Sequence, residues 1–123
     1  MEKLGPHIDA MNIDLKGFTD RYYTRVLGGS LSMVKAFIER AAELTHVELT
    51  TLIVPGENDT SEEMRTMCRW IAGLKNGQSI PLHISRFFPR FQMLDRSPTD
   101  VKLIYGLAEV AREKLEYVYT GNC

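Results

Sequence analysis

An α/β fold on a parallel sheet is predicted here by two features of the sequence. Three stretches, Ile8–Gly17, Val47–Gly56 and Ile80–Pro89, each read as a short strand ending in a loop, closed by Asp14-Leu15-Lys16-Gly17, Val54-Pro55-Gly56 and an aromatic, proline-bounded segment. Each is followed by a segment whose apolar residues recur at helical spacing. Strands alternating with helices of this length need crossover connections, and right-handed crossovers make neighbouring strands parallel. The repeated unit is strand, loop, helix, with polar residues gathered where each strand stops. About four strands and three main helices are expected, in the order β-α-β-α-β-α-β.

The first strand, Ile8–Lys16, alternates. Ile8, Ala10, Asn12, Asp14 and Lys16 share one face; Met11, Ile13 and Leu15 share the other. The first face turns polar toward its C-terminal end. That pattern suits an inward-facing barrel strand reaching an active site, and equally an edge strand with Asp14 and Lys16 in water. Thr19 can cap a short helix over Phe18–Leu27 that ends at Gly28-Gly29. Ser30 then caps a second helix with Leu31, Val34, Phe37, Ile38, Ala41 and Ala42 as its stripe. Gly-Gly-Ser ahead of a helix can hold a phosphate on free N–H groups, but without a fuller glycine fingerprint ordinary capping is the plainer account.

The second strand, Val47–Pro55, is rich in Thr, Leu, Ile and Val and places Glu48, Thr50, Leu52 and Val54 on one face. Glu57-Asn58-Asp59 forms the loop. Thr60, with Glu63 three residues on, is a capping-box signature. Met64, Met67, Cys68, Ile71 and Leu74 form the next buried stripe, with Cys68 as a core filler. The third strand, Ile80–Phe88, carries Pro81, His83, Ser85 and Phe87 on one face. A lone strand histidine is more often structural than catalytic, and that reading of His83 stays open beside a functional one. Phe87–Asp95 is a loop rich in Phe, Arg and Met, long enough to be functional. Ser97-Pro98-Thr99-Asp100 starts the third main helix, whose stripe is Val101, Ile104, Tyr105, Ala108, Ala111 and Leu115. Tyr117–Asn122 is a fourth strand.

Composition excludes several classes. The chain has 123 residues, 44% hydrophobic and 25% charged, with a net charge of −1. That is room for one domain with a modest core. No basic block points to nucleic acid, no apolar run approaches a membrane span, and the first residues do not form a signal peptide. Cys68 and Cys123 lie too far apart in sequence to form a disulfide framework or a metal-ligand pair by spacing. A reducing cytoplasm is the expected compartment.

Four pieces, taken in order, carry a family resemblance: Ile13-Asp14-Leu15-Lys16-Gly17, Ile53-Val54-Pro55-Gly56-Glu57-Asn58-Asp59, Leu82-His83-Ile84-Ser85-Arg86-Phe87-Phe88-Pro89 and Tyr117-Val118-Tyr119-Thr120-Gly121-Asn122. The chain resembles the C-terminal part of a radical S-adenosylmethionine (SAM) enzyme. It is similar to the pyruvate formate-lyase activating enzyme group and to the radical SAM enzyme of the AmmeMemoRadiSam system. The resemblance runs from about Ile8 to Asn122. It implies a parallel (β/α) half-barrel, the C-terminal part of a partial (β/α)6 TIM-like barrel, with residues 1–123 forming the second half of a radical SAM domain.

The same resemblance implies SAM and a 4Fe–4S cluster as cofactors of the full-length parent, an oxidoreductase that releases a 5′-deoxyadenosyl radical. Asp14 and Lys16 would contact the ribose and methionine end of SAM, with Asn12 close to the same site. Thr50 and Leu52 would meet SAM from the second strand, and His83 would contact the nucleoside. A lysine offers a point cation to a carboxylate, and an aspartate accepts from hydroxyl or ammonium groups.

Two departures from the family pattern matter. The Cys-x-x-x-Cys-x-x-Cys run that ligates the cluster is absent, as is the Gly-Gly-Glu-type motif for the SAM amino group. The cluster-binding half is therefore expected to be missing, and the fragment to be inactive alone. The parent's substrate, a protein or otherwise, is not legible. Self-association is expected through an exposed Ile8–Lys16 edge. Rival readings are a stand-alone α/β module binding a phosphorylated metabolite at Gly28-Gly29-Ser30, and an interaction domain without chemistry.

Overall fold

The computed structural model of the chain describes residues 10–19, 21, 23, 29–86 and 100–121. Strand β1 is Ala10–Asp14, helix α1 Leu31–Leu44, β2 His46–Ile53, α2 Ser61–Ala72, β3 Leu82–Arg86, α3 Val101–Arg112 and β4 Val118–Gly121. One 3-10 turn, Gly77–Ser79, precedes β3. The four strands form one sheet in the order β1-β2-β3-β4, every pair parallel. The predicted α/β class, with four strands and three main helices, is what the chain adopts.

Strand order decides the shape. Each strand lies beside the one before it, so the chain winds in one direction. Right-handed crossovers then put every connecting helix on the same face. One face of the sheet is covered, and the other carries none of the three helices. Along β2 the alternation follows: Val47, Leu49, Thr51 and Ile53 are buried, whereas His46 and Leu52 are exposed and Glu48 and Thr50 half-buried. The core is the layer between sheet and helices. Leu49, Leu82 and Ile84 meet Ile38, Ile71, Ile104 and Leu107 there, all fully buried. Each such side chain contributes about 1.5–3 kcal/mol of transfer free energy.

Local signals explain the helix starts. The Ser30 hydroxyl accepts from Met33 N–H (3.4 Å), and the Thr60 hydroxyl from Glu63 N–H (3.1 Å). The reciprocal half of the expected capping box is not made. Glu63 instead turns its carboxylate to the N–H of Phe18, 2.8 Å away. The cap of α3 is Asp100, which accepts from Lys102 N–H (2.9 Å); Ser97, Pro98 and Thr99 lie outside the described residues. So do most of the expected Phe18–Leu27 helix and all of the Phe87–Asp95 loop, together with Ile8, Asp9, Gly28 and Cys123.

Two expected core residues are outside it. Phe37 is 46% exposed and Tyr105 51%. Each adjoins a buried isoleucine, Ile38 or Ile104, and successive helical residues point about 100° apart. A helix on a flat sheet buries only a narrow stripe, so these neighbours fall on its flank. Leu107, absent from the predicted stripe, takes the inward position on α3. Cys68 is the expected core filler: it is fully buried, its Sγ 3.7 Å from Met64 Sδ. Among the described residues no helix is long and apolar enough to cross a membrane.

Candidate functional site

The open face of the sheet carries the candidate residues. Register places Asp14 beside Thr50, Thr50 beside His83, and His83 beside Tyr119, one residue from each strand. With strands about 4.8 Å apart, this row spans roughly 14 Å. Asn12 pairs with Glu48 on the row before; Leu52 pairs with Ser85, and Ser85 with Gly121, on the row after. Asn12, Asp14, Thr50, Leu52 and His83 therefore share one face, as strand parity predicts. The Thr50 hydroxyl donates to Asn12 Oδ1 at 3.0 Å, joining two of them directly. Leu52 is 40% exposed on a face otherwise polar.

His83 is held from two sides. Its Nε2 lies 2.8 Å from Glu48 Oε1, and its ring stacks on Tyr119 with centroids 5.2 Å apart and planes 27° from parallel. Glu48 reaches His83 diagonally across the β2–β3 pair. Its other oxygen lies 3.5 Å from His46 Nε2. The hydrogen bond to His83, with His46 alongside, holds the Glu48 carboxyl below its ordinary value. Strand parity alone put Glu48 on this face. Nothing local in the sequence paired it with a histidine 35 positions away, or stacked Tyr119 on that histidine.

Lys16 lies past the end of β1. Leu15 N–H donates to Thr50 O (2.8 Å), carrying the ladder one step beyond the strand. Lys16 N–H then donates to the Tyr23 hydroxyl (2.9 Å). Lys16 and Asp14 line an open cleft with Tyr23, Gly29, Ser30 and Val34. Lys16 thus sits beside Asp14 at the β1 end, while His83 lies two strands over. Burial pushes the Tyr23 hydroxyl above its ordinary pKa, and burial does the same to the Glu63 carboxyl despite its bond from Phe18 N–H. The aromatic pair Phe18–Trp70 (5.6 Å) lies under the Lys35 ammonium, 5.1 and 5.4 Å from the two ring centroids. These contacts fasten the loop after β1 to α1 and α2.

Asn58 is the other residue that the sequence did not single out. It is 4% exposed and bonds the backbone at the ends of both β1 and β2. In sequence it is one polar residue in a turn, indistinguishable from an ordinary turn former.

The described residues do not fit an iron–sulfur cluster. None of their His, Cys, Asp and Glu side chains gather in threes suited to a metal ion. Cys68 is fully buried in the core, and desolvation there pushes its thiol up to about 12, far from the thiolate such a cluster requires. The open face presents the stacked His83–Tyr119 pair, the acceptors Asp14 and Asn12, and the Lys16 cation beyond them.

No protein-family profile matches the chain. An uncharacterized protein of Methanocaldococcus jannaschii is 37% identical over 117 residues, which cover 94% of this chain and 34% of that protein. The chain thus spans about a third of the length of this relative. Among solved structures, a domain of pyruvate-formate lyase-activating enzyme from Bacteroides vulgatus superposes with a TM-score of 0.81, at 13% identity, covering 98% of this chain and 72% of that one. At that identity the likeness is one of fold alone: this chain's α/β domain of four parallel strands and three helices superposes on the activating-enzyme domain.

Proposed function

We propose that the open face is the SAM-contacting surface of a radical SAM parent of the activating-enzyme type, with this chain as the second half of its barrel. The carrying observation is the row Asp14–Thr50–His83–Tyr119 on the face opposite the three described helices, in a sheet whose other face is a closed apolar core. A face left open by the fold and lined with hydrogen-bonding groups suits a ligand better than packing. In this reading Lys16 meets the methionine carboxylate and Asp14 accepts from the ribose hydroxyls. The stacked His83–Tyr119 pair gives a flat base a surface, and Thr50 and Leu52 line the floor between. SAM in such a parent is the source of the 5′-deoxyadenosyl radical. This chain's residues bind and orient, and the cluster belongs to the half outside it.

Titration of the chain with SAM, followed by amide NMR shifts, tests the reading. Weak, millimolar-range binding is expected, with shifts at Asp14, Thr50, His83 and Tyr119 that disappear in Lys16→Ala with His83→Ala. No shift at those positions, or shifts confined to Gly29 and Ser30, would overturn it in favour of an interaction domain or a phosphate site. Anaerobic reconstitution of the chain should yield no stoichiometric cubane cluster. At the rival phosphate site the Ser30 hydroxyl caps α1 by accepting from Met33 N–H, and the shifts at Gly29 and Ser30 separate the two readings.

The proposal extends to assembly. Among the described residues β1 pairs only with β2, so its outer edge can template another strand. Self-association through that edge is expected in a sedimentation concentration series. A stable monomer at high concentration would count against it.

A further inference from the structure

We infer that Asn58 is a positioning residue, tying Lys16 on the loop after β1 to Leu52 at the end of β2 so that the two hold a set separation. The inference rests on the reading that the open face is a ligand site. Past the last rung of a parallel ladder, backbone carbonyls lose their strand partners and need another donor or water. The Lys16 and Leu52 carbonyls meet this need with one side chain. Asn58 Nδ2 donates to Lys16 O at 2.7 Å and to Leu52 O at 2.8 Å. Its Oδ1 accepts from Val54 N–H at 2.7 Å.

Two acceptors on one side and one donor on the other determine which atom is nitrogen, so the amide orientation is unambiguous. The task needs two donors and an acceptor on one planar group at this reach. An ionised aspartate has no donor, and glutamine is longer by a methylene. The amide hangs from a turn that is itself fastened. Glu57 N–H donates to Val54 O (3.0 Å), Gly56 N–H to Asp59 Oδ2 (3.1 Å), and Gly56 takes φ +79°. Two residues after Asn58 the chain enters the Thr60 cap of α2. The clamp therefore refers both strand ends to a rigid helix. Without it, the β1 loop and the β2 end would move separately, and with them Lys16 and Leu52.

NMR on the unliganded wild-type chain gives the first test. Both Asn58 side-chain amide protons should exchange at least about fivefold more slowly than those of exposed Asn76, because each is held by a buried carbonyl. Exchange of both at the Asn76 rate overturns the inference, whether or not any variant folds. The second test is Asn58→Asp. At neutral pH the ionised side chain offers no donor, and the Lys16 and Leu52 carbonyl carbon shifts should move while those of α3 do not. Acidification should return part of the change, because a protonated carboxyl regains one donor. Unmoved Lys16 and Leu52 shifts also overturn the inference. The ligand arm is separate: SAM-induced shifts at Lys16 and Leu52 should weaken in Asn58→Asp more than those at His83, and an equal loss at all three refutes positioning. If the wild type shows no SAM response at all, the ligand reading fails, and with it the functional part of the inference, while the exchange and carbonyl data still decide the clamp.

Discussion

The two faces of this sheet are built by the same strands from alternate residues, yet they obey opposite rules. On the covered face Leu49, Ile53, Leu82 and Ile84 are at most 1% exposed and make the core with three helices. On the other, Asp14, Glu48, Thr50, His83 and Tyr119 are exposed or half-buried, Glu48 bonds His83 across the strands, and His83 stacks on Tyr119. Stability therefore resides on one face, and freedom to bind resides on the other. Substitutions one step apart along a strand should differ in kind.

The largest effect is expected where the covered side admits no atom at all. A methyl group at Gly77, in the turn that feeds β3, would overlap the Ile71 carbonyl oxygen and sit 2.8 Å from the Ala72 carbonyl. Both neighbours are backbone and cannot swing aside, so Gly77→Ala should cost more than about 4 kcal/mol, the range of severe single changes. Urea unfolding would show it, and a loss below about 1 kcal/mol would mean the turn yields easily.

A matched pair on β2 sharpens the contrast. Leu49 is fully buried and Leu52 is 40% exposed, three residues along the same strand. Leu49→Ala should lose about 2–5 kcal/mol, and Leu52→Ala less than about 1 kcal/mol, because only the first leaves a cavity. Equal losses would indicate that the open face is packed against something in solution, and would break the comparison.

Thr51 breaks the rule of the covered face. Its hydroxyl is fully buried and has no hydrogen-bond partner among the described residues. Thr51→Val removes the unpaired group at similar volume and should stabilise the chain by about 1 kcal/mol. A destabilised variant would reveal a partner for that hydroxyl in solution.

The smallest effect lies on the open face. Glu48 has its carboxyl held below the ordinary 4.5, chiefly by the hydrogen bond to His83. A carboxylate whose folded pKa is depressed stabilises the fold above its unfolded value, and this is lost as pH falls through the folded one. The stability difference between wild type and Glu48→Gln should therefore be present near neutrality and vanish in acid. A difference that grows as pH falls would contradict the Glu48–His83 pairing.

The class of the fold was legible because its signals are local. Alternation put Asn12, Asp14, Thr50 and His83 where they are found, and Ser30 and Thr60 cap the helices they were expected to cap. Elsewhere local signals were outweighed. The Glu63 carboxylate left its own helix end for Phe18 N–H, a donor 45 residues away. Asn58 looked like turn chemistry but serves two strand ends.

By itself the sequence determined which segments are strands and helices and which residues share a face, because side-chain direction follows the period of two in a strand and of 3.6 in a helix. Only the tertiary structure decided that the three described helices cover one face, that Asp14, Thr50, His83 and Tyr119 stand in one row, and that Asn58 ties Lys16 to Leu52. The physical reason is that strand order and register come from pairing segments tens of residues apart. That pairing is set by the closure of the whole core and not by any local pattern.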